Sequence, residues 1–255
     1  MANVLSRYKW LVVLLGLVIT IITSVASAPA TYWQPIVNRV SHDRVRLVNV
    51  SGTLWSGSGQ VAFQVTNTNW QLLPGRMQWD SVFTLRGMQW TINDIEYKTL
   101  NQPLSVLINL KRIMISAGAC NFPAQLLEVV GGLAHTLKPS GEVSVQWQAI
   151  LLDSVDYHLQ QSVNFTIDLK QIRSAISPLP ELGSYKITGV FAAIGGHYEV
   201  TTETGPLLID GQGVLGSKGI QFNGEAKAVV GMEEQLGGLL LLMGEFNGRV
   251  AHLHF

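Results

Sequence analysis

At 255 residues with 17 basic and 17 acidic side chains, the chain lacks the concentrated basic stripe that nucleic-acid binding calls for. Charged residues make up only 13% against 47% apolar ones, which points to a membrane segment, a large buried apolar surface, or both. The single cysteine, Cys120, excludes an internal disulfide and a paired-cysteine zinc cluster, and reads as a small buried hydrophobe.

The N-terminus, MANVLSRYKW, places Arg7 and Lys9 ahead of an uncharged run over residues 10–30. Its strongly apolar part, 10–26, is long enough for a helix that crosses most of a bilayer's hydrocarbon core. Ala26-Ser27-Ala28 fits a signal-cleavage site. The apolar run, however, exceeds the roughly 7–15 residues of a signal core, and Pro29 would follow the cut directly. The reading adopted is an uncleaved anchor, with residues 1–9 as a cytoplasmic N-terminus and 10–28 as a transmembrane signal-anchor helix. Arg7, Lys9 and the terminal amine favour that orientation, while Arg39, Arg44 and Arg46 beyond the span weaken the charge asymmetry. Residues 29–44 follow as a linker, with TYWQPIVNRV briefly helical.

From residue 45 the pattern changes to period two, the mark of half-buried antiparallel strands. RVRLVNVSG opens the series, and GQVAFQV sets Val61, Phe63 and Val65 against Gln60 and Gln64. MQWDSVFTL, LSVLINLKRIMIS, GEVSVQWQAILL, HLQQSVNFTIDL, YKITGVFAAI, HYEVTTET, PLLIDGQGVL, IQFNGEAKAVV and GRVAHLHF read as further strands. Two segments have helical spacing instead. NFPAQLLEVVGGLAHTL offers Asn121 as a cap, Pro123 in the first turn, and Leu126, Leu127, Val130, Leu133 and Leu137 on one face. MEEQLGGLLLLMG puts Glu233 and Glu234 in a first turn ahead of Leu236, Leu239, Leu240 and Met243. Gly131-Gly132 and Gly237-Gly238 weaken both helices.

These elements predict a mainly β body over 45–255, a long twisted antiparallel sheet with two short amphipathic helices behind one N-terminal transmembrane helix. Strands, a helix with an internal glycine pair and a closing strand occur twice, so the body is expected to fall into halves, 45–152 and 155–255.

The stretch VSGTLWSGSG, residues 50–59, invites a functional reading because three glycines surround Trp55. No Gly-Lys-Ser/Thr follows for a phosphate loop, and Trp55-Ser56-Gly57 lacks the frame of a nucleophile elbow. It reads as a structural corner, with 57–59 as a tight reversal between strands and Trp55 covering the end of the core. His252 and His254 share a strand face and form a possible metal pair without a nearby third ligand. Asp153 and Asp156 suit a turn as well as catalysis. Asn49-Val50-Ser51 and Asn164-Phe165-Thr166 match the glycosylation pattern. No catalytic, cofactor-binding or metal-ligating residue is assigned, and no cofactor is expected.

SGTLWSGSG one short linker after an anchor, then Leu137-Lys138-Pro139-Ser140-Gly141 before a Val/Trp-rich strand, Gly205-Pro206-Leu207 opening another, and leucines 239–242 ahead of Gly244 form an ordered set. In that order the chain resembles the type II secretion system protein N family over nearly its whole length. The resemblance implies a single-pass inner-membrane protein of a Gram-negative bacterium with its bulk in the periplasm. It also implies an accessory, non-catalytic role in exporting folded proteins across the outer membrane. The implied partners are inner-membrane platform proteins and the outer-membrane secretin. Docking would use exposed strand edges or an apolar patch.

Three rival classes frame the test. An envelope lipid-binding or transfer protein would shield acyl chains in an apolar β groove. An outer-membrane barrel would need a cleaved signal, and two interior helices interrupt its strand series. An envelope hydrolase would need a catalytic constellation.

Overall fold

The computed structural model describes residues 2–64, 70–97, 99–130, 132–216 and 219–254. Val65 and Gly131, named above, and Phe255, the last residue of GRVAHLHF, lie outside the described residues. The chain begins with α1 (Ala2–Ala26), a 3₁₀ turn (Ala30–Tyr32) and α2 (Trp33–Val40). Within α1, Tyr8–Ala26 is long and apolar enough to cross a membrane, and none of it is buried against the rest of the chain.

Two antiparallel sheets form the body. The first joins β1 (Val45–Gly52), β2 (Ser56–Gln64), β4 (Met77–Thr84), β5 (Gly87–Asp94), β6 (Leu104–Ile108), β7 (Arg112–Ile115) and β10 (Ile150–Asp153) in that order, with β3 (Trp70–Leu72) pairing β2. The second runs, from one edge, β8 (Gly118–Pro123), β9 (Pro139–Trp147), β11 (Val163–Ser174), β12 (Gly183–Ala192), β13 (Gly195–Thr204), β14 (Leu207–Gly216) and β15 (Gly219–Ala228), then β17 (Val250–His254) and β16 (Glu245–Phe246). The mainly β architecture behind one apolar helix is therefore as the periodicity predicts.

Hydrogen bonding divides the strands at a place the duplication proposal does not use. β8 and β9 belong to the second sheet, while β10 returns to the first beside β7. GEVSVQWQAILL, expected as one strand, is thus β9 and β10 in different sheets, broken at Gln148 and Ala149. LSVLINLKRIMIS is likewise two strands. Asn109 Oδ1 accepts from the backbone N–H groups of Lys111 and Arg112 and folds β6 back onto β7 without glycine or proline.

The segment read as a helix from Asn121 corrects further. Asn121 and Pro123 lie in β8, followed by a 3₁₀ run (Ala124–Val130) and the short α3 (Gly132–Leu137). α4 (Glu233–Met243) forms as expected, with Leu236, Leu239, Leu240 and Met243 buried on one face. That face packs on β15 and β17 in a core with Leu182, Leu207, Phe222, Ala226, Ala251 and Leu253. A second cluster sits under the 3₁₀ run, around Ala124, Val143, Ile172 and Tyr185.

One register row crosses seven strands of the second sheet: Gly118, Trp147, Phe165, Gly189, Tyr198, Gly213, Phe222. Glycine is there for space. A Cβ on Gly118 would fall 2.7 Å from the Trp147 ring, on Gly189 2.5 Å from Phe165, and on Gly213 2.1 Å from Tyr198. Each ring lies over the bare backbone of its neighbour, so aromatic area is buried without bulk on the adjoining strand. The row gives the sheet one apolar face, which carries α4 at one end, and leaves the opposite face to polar side chains.

Three of the four outermost strands, β1, β8 and β10, are met by other parts of the chain. β1 carries α2, with Gln34 Nε2 donating to the Leu47 carbonyl. β8 is met by the chain at 99–101, where Asn121 N–H donates to Thr99 O and Asn101 N–H to Ala119 O. β10 is backed by Leu159 and Gln160. β16, at the far edge, is only two residues long. The expectation of exposed strand edges therefore does not hold at β1, β8 and β10.

After β5, Asp94 accepts from the backbone N–H groups of Glu96, Tyr97 and Thr99. Partial burial pushes this carboxyl up, but those hydrogen bonds prevail and hold it below the usual carboxylate range.

Candidate functional site

Two features could carry function: a tryptophan collar at the root of α1 and a trough across the second sheet. The collar is built from the VSGTLWSGSG stretch. The reversal between β1 and β2 falls at 53–55, not at 57–59, because Gly57 and Gly59 lie inside β2. Thr53 N–H donates to Ser56 O, and Ser56 N–H returns to Thr53 Oγ1. Gly52 supplies a φ of 92°, and any side chain at Gly57 would meet Ser51 O at 2.5 Å and the Trp79 ring at 2.8 Å.

This corner projects Trp55 onto the end of the helix. Its Nε1 donates to the Val25 carbonyl at 2.7 Å, and Leu54 N–H donates to Ala28 O at 2.7 Å. Trp33 Nε1 donates to Leu54 O, and Pro29 bridges Thr53. Trp33 meets Trp90 edge-on at 5.0 Å, while Trp55 stacks on Trp90 at 6.2 Å and leans on Phe83 at 6.1 Å. Trp79 and Trp90 are buried with Ala30 in the same cluster. The corner is structural, as read from sequence, and Trp55 closes the core by gripping the chain where it leaves α1.

The trough crosses the second sheet, has a volume of about 1110 Å³, and is lined by Phe165, Gly189, Tyr198, Gly213 and Phe222 of the aromatic and glycine row together with residues of the rows on either side. Strand alternation points those two flanking rows to the other face of the sheet. One is Thr166, Thr188, Glu199, Gln212, Asn223 and His254; the other is Asn164, Val190, His197, Val214 and Gln221. On the face of Thr188, Lys186 Nζ sits 2.6 Å from Glu203 and 3.7 Å from Asp168. The hydrogen bond to Glu203 raises its pKa, so it stays charged at any physiological pH. On the other face Tyr185 is buried, its hydroxyl donating to Leu207 O, and burial pushes that phenol far up. Neither group is poised for proton transfer near neutrality.

The individual candidates are dispersed. His252 and His254 project from β17, with His252 Nδ1 3.6 Å from Glu225 and His254 on the trough. Among the described residues, no three His, Cys, Asp or Glu groups are placed to hold a metal ion. Asp153 and Asp156 act as turn acceptors for Val155 N–H and His158 N–H. Asn49 and Asn164 lie in strands, their amides bonded to Gln60 and Gln148. Cys120 is half-buried in β8, and burial raises its thiol pKa. The aromatic and glycine row and the trough escaped the sequence reading because both consist of residues brought together only by strand register.

Comparison with curated proteins and with solved structures gives no significant match. A profile of the family described as type II secretion system (T2SS), protein N matches residues 43–251, the two-sheet body up to the start of β17, without the membrane helix. On that match, the chain belongs to the type II secretion system protein N family.

Proposed function

We propose that this protein is an accessory, non-catalytic part of the type II secretion machinery, held in the inner membrane by α1 with its body in the periplasm. There it docks platform proteins or the outer-membrane secretin during export of folded proteins. The family match across 43–251 carries this reading, because it covers the body that would make the contacts. The covered sheet edges favour docking through side-chain surfaces over strand addition. The proposed duplication into 45–152 and 155–255 would give the body two related platforms for contact.

The rival lipid carrier needs an apolar groove. The trough instead has a mixed lining, in which Phe165, Tyr198 and Phe222 stand among Thr, Asn, Gln, Glu and His residues. Photo-crosslinkers at His197 and Gln212 in cells test both readings, since each residue borders the trough and is exposed. Adducts with other secretion components are expected. Adducts with lipid alone would overturn the docking proposal in favour of the carrier.

A further inference from the structure

The first sheet ends, on the side where α1 enters, in three neighbouring loops. β4 runs past its last pairing with β2, Asp80 with Ser56, and turns at Leu85 and Arg86. Met88 of β5 pairs Ile108, which brings the 109–111 turn alongside. Arg112 pairs Asp153, so 154–157 comes next, tied by Ser154 Oγ to Leu110 O at 2.7 Å.

These tips are unusually apolar for exposed turns. Leu85 and Leu110 are fully exposed, and Phe83, Val155 and Tyr157 keep 77%, 82% and 66% of their surface. Their backbones are largely self-satisfied: Thr84, Asn109, Asp153 and Asp156 side chains accept the N–H groups of Arg86, Lys111, Arg112, Val155 and His158. That lowers the cost of leaving water. Arg86, Lys111 and Arg112 add three exposed cations against Asp153 and Asp156, whose oxygens already serve the turns. Large apolar tips beside basic groups are the composition of surfaces that sink into anionic lipid.

Position selects the occupant. Phe83 touches Trp55, and Trp55 holds the carbonyl of Val25, the penultimate residue of the apolar span. At a rise of about 3.3 Å per residue, Leu85 lies only about 7 Å beyond Phe83 along the strand. The tips are thus fixed close to the level at which α1 would leave the bilayer, where tryptophan rings also settle.

We propose that this loop end, residues 83–86, 109–112 and 154–157, seats in the surface of the bilayer that α1 spans. The apolar tips would enter the headgroup–acyl boundary and the three cations would meet lipid phosphates. The proposal rests on the anchor reading, and its test separates the two. Full-length protein with Cys120→Ser is reconstituted in phosphatidylethanolamine–phosphatidylglycerol vesicles. It carries a spin label at Leu85→Cys, Leu110→Cys, Tyr97→Cys at the opposite end of the sheet, or Val18→Cys in the span. Collision with oxygen against a water-soluble nickel chelate reports depth.

Labels at 85 and 110 are expected about 5–10 Å below the surface, with 97 in water and 18 in the hydrocarbon. Labels at 85 and 110 in water while 18 is buried would overturn the proposal and leave the anchor standing. Label 18 in water would sink the anchor reading. Labels at 85 and 110 immobilised yet shielded from both reagents would mean that protein covers the loops, which also overturns it.

Discussion

Leu240→Ala is expected to destabilise the body by about 3 kcal/mol, whereas Leu242→Ala two positions along should stay within about 0.5 kcal/mol. The contrast follows from the helical period applied to four consecutive leucines. Residues 236, 239, 240 and 243 face the second sheet, so Leu239 and Leu240 are buried while Leu241 and Leu242 keep 64% and 59% of their surface. Leu240 is packed among Leu207, Phe222, Ala226, Ala251 and Leu253, all buried on strands that cannot easily close a gap. Truncation therefore loses both transfer energy and contacts around a cavity. Urea unfolding of the full chain in detergent, monitored by tryptophan fluorescence, reads the difference. Equal losses for the two variants would mean that α4 does not sit on the sheet as described.

The second large effect is at Gly213. Gly213→Val is expected to cost more than Gly213→Ala, itself about 1–3 kcal/mol, because the Tyr198 ring occupies the space a side chain needs. Moving that ring breaks the hydroxyl's hydrogen bond to Gln221 O and its stacking on Phe222, 6.1 Å away and nearly parallel. Gly216 in the same strand has open space and serves as the control, so Gly216→Ala should be close to neutral. The mechanism predicts coupling: in a Tyr198→Ala background, Gly213→Ala should lose most of its cost. Additive losses in the double variant would show that the glycine is required for a reason other than the ring above it.

Much of this fold is readable locally. The span is a matter of length and hydropathy, α4 of its leucine spacing, and most strands of alternation. GMQWTIND, which forms β5, is not among the predicted strands although Met88, Trp90 and Ile92 alternate in the same way. Other errors have a common physical source. Period two shows that a segment is extended but not where it reverses or which partner it takes. LSVLINLKRIMIS therefore read as one strand although Asn109 turns it, and β9 and β10 read as one although they join separate sheets. At 121–137, helical spacing extended over residues that pair with β9 as β8.

The collar was legible only as a corner, since the grip of Trp55 on Val25 spans thirty residues. The trough was not legible at all, its rows assembling residues from 164 to 254. Low charge pointed to a membrane segment, which α1 supplies, and the ordered set of motifs pointed to the family that the profile matches over 43–251.

The central claim is that the body must be tethered at the inner membrane to serve secretion. The most direct measurement replaces residues 1–28 by a cleavable export signal and follows release of a secreted substrate from cells lacking the native chain. The account predicts a folded, soluble periplasmic body with secretion lost. Secretion at the native level from that untethered body would contradict it.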